Sequence, residues 1–149
     1  CKHKKKLQKT KVVEVFSGSG QLSCKLRISG LDAMAVDCQG NRHTTQSETI
    51  YLDQTKPEDH ERLITILAAP NVRYVHFGPP CGTFSQARER PLPDHSNPPG
   101  PLRSEAKPYG LDNIKSDKDR KRVESANKLV RFMGELVPML HAQGRFFTI

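Results

Sequence analysis

The order of apolar runs in this chain predicts an α/β fold, a mainly parallel sheet flanked by helices. Three observations carry that expectation. The runs follow the order strand, helix, strand, strand, helix, strand, helix, strand, which suits crossover connections on a parallel sheet. Val72, Tyr74, Val75 and Phe77 are β-branched or aromatic and make a mostly buried strand, which Gly78, Pro79 and Pro80 end abruptly. A glycine turn, Ser17-Gly18-Ser19-Gly20, follows the first strand and leads into a helical stretch.

Taken in order, residues 1–11 hold six lysines and read as a basic, disordered arm. Val12 to Phe16 reads as the first strand. Gln21 to Ser29 alternates like a strand but also pairs Leu22 with Leu26 one helical turn apart. The glycine turn before it and Gly30 as a C-terminal cap favour a helix. Ala33 to Asp37 is a second strand ending in an acid, and Cys38 to Ser47 a polar loop or short helix. Ile50 to Asp53 is a third strand, again ending in an acid.

The next helix has Thr55 as its N-cap candidate, Pro57 in its first turn and Glu58, Asp59 and Glu61 at its positive end. Leu63, Ile64 and Leu67 form its buried face. After the strand at 72–77, residues 86–116 carry six prolines and no apolar periodicity, so they read as a flexible loop. Ser116-Asp117 opens the longest helix, with Val123, Ala126, Val130, Met133, Val137 and Leu140 as its stripe and Pro138 expected to kink or shorten it. Gly144 caps it, and Arg145 to Ile149 begins another strand. No internal repeat is present.

With 149 residues the chain is one domain by length. Residues 12–149 are expected to form that domain, with 86–116 as a flexible Pro-rich loop within it. The start at Cys1 and the apolar run at Ile149 read as the ends of a fragment. No stretch approaches the roughly 20 apolar residues of a membrane span. The four cysteines, Cys1, Cys24, Cys38 and Cys81, form no CxxC pair, and the six histidines lack zinc-ligand spacing, so no metal is expected. Reduced thiols point to an intracellular protein, without choosing between the nucleus of a eukaryote and the cytoplasm. The net charge of +8 concentrates on the arm and on residues 82–131, where eleven basic face seven acidic side chains. Such patches suit nucleic-acid phosphates, although a lysine-rich terminus also reads as a solvated arm.

The candidate chemistry lies at strand ends. Phe16, Ser17, Gly18, Ser19 and Gly20 lie between a strand and a helix, where backbone N–H groups can approach a ligand. A dinucleotide fingerprint is excluded, because Ser23 stands where GxGxxG needs its third glycine. Asp37 is placed for ribose hydroxyls and Asp53 for an adenine amino group, although each also reads as a cap or turn residue. Cys81 follows a rigid turn at the C-terminal end of a buried strand, a place for a nucleophile rather than a core thiol.

These residues carry a resemblance. Phe16-Ser17-Gly18-Ser19-Gly20 resembles the F-x-G-x-G motif of cytosine-C5 methyltransferases, with Glu14 where an acid often begins that strand. Pro79-Pro80-Cys81 with Phe84-Ser85 resembles their Pro-Cys nucleophile motif. The match covers residues 12–85 well and the remainder loosely. The family commonly has Gln-Gly after the cysteine, where this chain has Gly82-Thr83, and its Glu-Asn-Val segment would follow the last strand.

The resemblance implies a Rossmann-like S-adenosylmethionine-dependent methyltransferase fold, incomplete at the C-terminus. It implies that Phe16 to Gly20, Asp37 and Asp53 bind S-adenosylmethionine and that Cys81 attacks C6 of a flipped cytosine. Pro79, Pro80, Ser85 and Arg88 would then meet the substrate. DNA is the expected partner, and the isolated fragment is expected to show no turnover. RNA such as tRNA is the alternative substrate. A non-catalytic nucleic-acid-binding module and a nicotinamide enzyme are the competing classes; Cys81 with the glycine turn counts against the first, and Ser23 against the second. Oligomeric state is left open.

Overall fold

The computed structural model describes residues 9–40, 43–91, 93 and 97–149. It divides into two compact units, one holding the chain up to Pro79 together with Phe132–Ile149, the other Pro80–Arg131.

The first unit is a five-stranded, all-parallel sheet: β1 (Lys11–Val15), β2 (Asp32–Asp37), β3 (Thr49–Tyr51), β4 (Val72–Phe77) and β5 (Phe146–Thr148), in the order β3-β2-β1-β4-β5. Central β1 is buried at four of its five positions, as expected of a strand covered on both faces. α1 (Gln21–Ile28) packs on β1 and β2, and α2 (Pro57–Ala68) on β4. The chain leaves β1 toward β2 and β3, then returns through α2 to β4 on the other side of β1. The reversal between β1 and β4 is the topological switch point where open α/β sheets bind ligands.

Glycines end the first and last helices as the sequence implies. Gly30 (φ 84°) and Gly144 (φ 64°) are left-handed, and in each case the following N–H reaches back to the carbonyl five residues earlier. The last helix, α3 (Asp117–Ala142), runs through Pro138, which does not end it. Its first half belongs to the second unit and the remainder to the first.

Several expectations are corrected. Lys11 belongs to β1, with its Nζ 3.6 Å from the Asp32 carboxylate, so the arm is shorter than 11 residues; its residues 1–8 lie outside the described ones. Phe16 is not in the strand but turns the chain with φ 59°. β3 spans 49–51, although the Leu52 N–H still donates to the Asp37 carbonyl at 2.9 Å. The N-cap of α2 is Lys56, because the Thr55 hydroxyl donates to Asp53 at 2.7 Å. On α3, Val130 is 43% exposed and Val137 half-buried, while Phe132 and Leu136 are buried. A 26-residue helix drifts around its own axis, and a fixed three-four alternation does not follow it.

The 86–116 segment is not structureless. Gln86–Glu89 forms a short 3₁₀ helix, Leu102 is buried, and Ser104 and Lys107 exchange backbone hydrogen bonds. Residues 92 and 94–96 lie outside the described ones. Among the described residues no helix is long and apolar enough to cross a membrane, and no group of side chains could hold a metal ion.

Candidate functional site

In the sheet unit the site forms at the C-terminal ends of β1, β2 and β3. Phe16 is the one non-glycine residue with positive φ among the described residues, a conformation that costs about 1–3 kcal/mol and occurs mostly where surrounding structure imposes it. The fold imposes it here from several directions. The Ser17 N–H donates to the Val36 carbonyl at 3.1 Å, the Gly20 N–H to the Ser17 carbonyl at 2.8 Å, and the Gln46 N–H to the Ser19 carbonyl at 2.7 Å. Gly20 adopts φ 65°, and a Cβ there would come within 3.2 Å of the Ser47 side chain, so both conformation and space select glycine. Gly78 is also crowded, since a Cβ would meet the Phe16 carbonyl at 3.2 Å.

Asp37 closes this loop from the end of β2. Its carboxylate accepts from the Gly18 N–H and from its neighbour Cys38, both at 2.7 Å, and only 7% of the residue is exposed. Asp37 therefore both shapes the glycine turn and places a negative charge beside it. Ser17 is buried, and its Oγ has no hydrogen-bond partner among the described residues. A buried hydroxyl without a partner carries a desolvation cost that a bound polar group would offset.

Beyond Asp37, a cleft of about 260 Å³ is lined by Cys38, Tyr51, Asp53, Lys56 and Asp59. Asp53 accepts from the Thr55 N–H at 3.0 Å and from its hydroxyl at 2.7 Å, while its own N–H donates to Asp59 at 2.8 Å. The Thr55 hydroxyl and amide, together with Lys56, hold the Asp53 carboxyl below the usual carboxylate range. Burial, reinforced by the Asp37 and Asp53 carboxylates, pushes the Cys38 thiol up, so Cys38 remains a neutral thiol on this wall. Tyr51 is 47% exposed and presents an aromatic ring there. The cleft is thus a small polar slot with two acids, a lysine, a ring and a thiol.

Glu14 faces elsewhere. Its buried carboxylate accepts from the Ser23 N–H at 2.8 Å and from the Ser23 hydroxyl at 2.6 Å. Gly20 supplies no side-chain cap and the first turn of α1 has no acid, so Glu14 takes both roles from the neighbouring strand. It anchors the helix that follows the glycine turn.

In the second unit, Cys81 is an exposed free thiol. Its carbonyl accepts from the N–H groups of Phe84 and Ser85 at 2.8 and 2.9 Å, which wraps the chain into a tight turn. Pro80 is exposed and Pro79 half-buried. The Ser85 hydroxyl accepts from the Ala87 N–H at 3.1 Å and so caps the 3₁₀ helix.

Arg88 departs from its expected role as a substrate ligand. Its side chain is only 10% exposed, with Nε on the Gly100 carbonyl at 3.0 Å and the guanidinium 3.3 Å from Asp119. It ties the proline-rich segment to α3.

Sequence reasoning missed Arg103. Its guanidinium donates to the Thr83 carbonyl and hydroxyl, the Pro108 carbonyl and the Asn127 carboxamide, and lies 3.8 Å over the Phe84 ring. Burial lowers its pKa from the usual arginine value. One side chain thereby fixes two residues of the Cys81 turn, Thr83 and Phe84. No local pattern announces it, because Thr83 and Asn127 lie 20 and 24 residues away on either side.

Comparison with protein-family models, with curated proteins and with solved structures gives no match.

Proposed function

We propose that this chain is a cytosine-C5 methyltransferase-like catalytic module acting on DNA, built on a methyltransferase variant of the Rossmann-like fold. The observation that carries the reading is the exposed thiol of Cys81, four residues beyond the end of β4, the strand that pairs with β1. Residues 16–20 with Asp37 and the Cys38–Tyr51–Asp53 slot suit an adenosine-containing ligand. The Ser17 hydroxyl meets its polar part, Asp37 the ribose, and Tyr51 with Asp53 the adenine face and edge.

S-adenosylmethionine supplies the methyl group in this reading. The Cys81 thiolate adds to C6 of a cytosine taken out of its stack, which makes C5 nucleophilic. Once C5 carries the methyl group, loss of its proton to a base expels the thiolate and restores the ring.

Two readouts test this. Calorimetry on the chain is expected to show S-adenosylmethionine binding that weakens about tenfold or more in Asp37→Ala, which forfeits a charge-assisted contact. It should persist in Cys81→Ala, and absence of binding by the unaltered chain overturns the cofactor assignment. DNA containing 5-fluorocytosine is expected to be captured covalently with the adduct mapping to Cys81. Capture that persists in Cys81→Ala removes the nucleophile assignment.

A further inference from the structure

Beside the cysteine turn, and wholly within the second unit, lies a groove of about 670 Å³ that the thiol chemistry does not use. Pro80 and Gly82 form one wall, and one face of α3 forms the other. Lys118, Lys121, Ser125 and Leu129 follow each other at steps of three and four residues, so they share that face. Ala126 and Leu129 with Pro80 give the floor an apolar character, and the lysines stand on its rim.

Of the charged groups that line the groove, Asp117 and Arg122 are paired and the two lysines are not. Asp117 is paired with Arg120 at 2.5 Å, and Arg122 with Asp119 at 3.3 Å. Lys118 and Lys121 have no ion-pair or hydrogen-bond partner among the described residues. Two uncompensated ammonium groups about one helical turn apart, above an apolar floor, match a single nucleic-acid strand. Phosphates would meet the rim, and sugar or base faces the floor. The volume is that of a ligand cleft and matches a short piece of one strand.

We propose that this groove seats the DNA strand that carries the target cytosine, with consecutive phosphates on Lys118 and Lys121. The assignment rests on the reading of Cys81 as a cytosine nucleophile and adds to it a defined path for the flanking nucleotides. It also gives the basic excess of residues 82–131 a place in the fold.

The test is binding of a fluorescently labelled single-stranded DNA oligonucleotide to the full chain, followed by anisotropy across a range of salt. Each phosphate contact to a single strand adds about 0.7 to the slope of log affinity against log salt. Lys118→Glu with Lys121→Glu is expected to flatten that slope by about 1.4 and to weaken binding about tenfold near 0.1 M salt. The pair Lys118→Gln and Lys121→Gln flattens it equally and serves if the reversed pair melts early. Lys25→Glu, a charge reversal on α1, leaves the slope unchanged.

An unchanged slope in both lysine pairs, or an equal fall in Lys25→Glu, overturns the groove. Tighter binding of blunt duplex, or of RNA of the same sequence, overturns the choice of a single DNA strand. Failure of the groove and failure of the chemistry remain separate. Capture of 5-fluorocytosine DNA at Cys81 that ignores the lysines removes the groove alone. Lysine-dependent strand binding with capture at another residue removes the nucleophile alone.

Discussion

Arg103 shows how much one side chain can decide. It satisfies the carbonyls of Thr83 and Pro108, the Thr83 hydroxyl and the Asn127 carboxamide together. Arg103→Ala strands these acceptors, and a cost of about 2 kcal/mol or more is expected. Amide exchange at Phe84 and Ser85, whose N–H groups close the cysteine turn, should accelerate with it. Arg103→Lys should recover little, because a single ammonium cannot span a planar fork of partners. Protection at those two amides equal to that of the unaltered chain would contradict the role. Asp53 makes a prediction of the opposite kind, about pH. Its folded pKa lies below the carboxylate value, so its contribution to stability is fully present above about pH 4 and fades as pH falls through the folded value. Asp53→Asn should therefore narrow the stability gap to the parent chain on acidification, and thermal melts at neutral and acidic pH read it. A gap that widens in acid would refute the assignment.

At the scale of elements, the Glu14–Ser23 contact joins β1 to the first turn of α1. A strand carboxylate substitutes for the missing N-cap side chain, which is why α1 starts where it does despite a weak amphipathic pattern. Glu14→Ala leaves a buried N–H and hydroxyl unpartnered, and a loss of about 2 kcal/mol is expected in urea unfolding. Ser23→Ala removes one of the two bonds and buries no orphan hydroxyl, so it should cost less. If the two substitutions cost the same and add independently, the pair does not act as a cap.

For the whole molecule, the alternation of elements was legible because each strand of a parallel sheet is a compact apolar run closed by a glycine, proline or acid. β4 emerges at Val72–Phe77 as read. The glycine turn and Asp37 were legible for the same reason, since strand ends are where such residues have a positional meaning. What escaped was long-range. Nothing local distinguishes Arg103, which is structural, from Arg88, which was read as a substrate ligand and is tied to Gly100 and Asp119. The order within 86–116 escaped too, because its organising contacts are hydrogen bonds from arginines to distant carbonyls, which leave no apolar period. The Lys118–Lys121 face was hidden inside a helix judged by its apolar stripe alone.

The strand order has a consequence for how the protein comes into being. β1 lies between β2 and β4, and its pairing with β4 joins Val12 to Tyr74 and Val15 to Phe77. During translation at about 5–20 residues per second, roughly 3–11 s pass between the synthesis of Val15 and that of Val72. For that interval the most buried strand of the sheet has one bare edge, able to recruit another nascent chain. A sheet assembled from such distant parallel pairings also refolds slowly. The central position that places the glycine turn at the switch point thus makes the first strand synthesised one of the last to be fully enclosed.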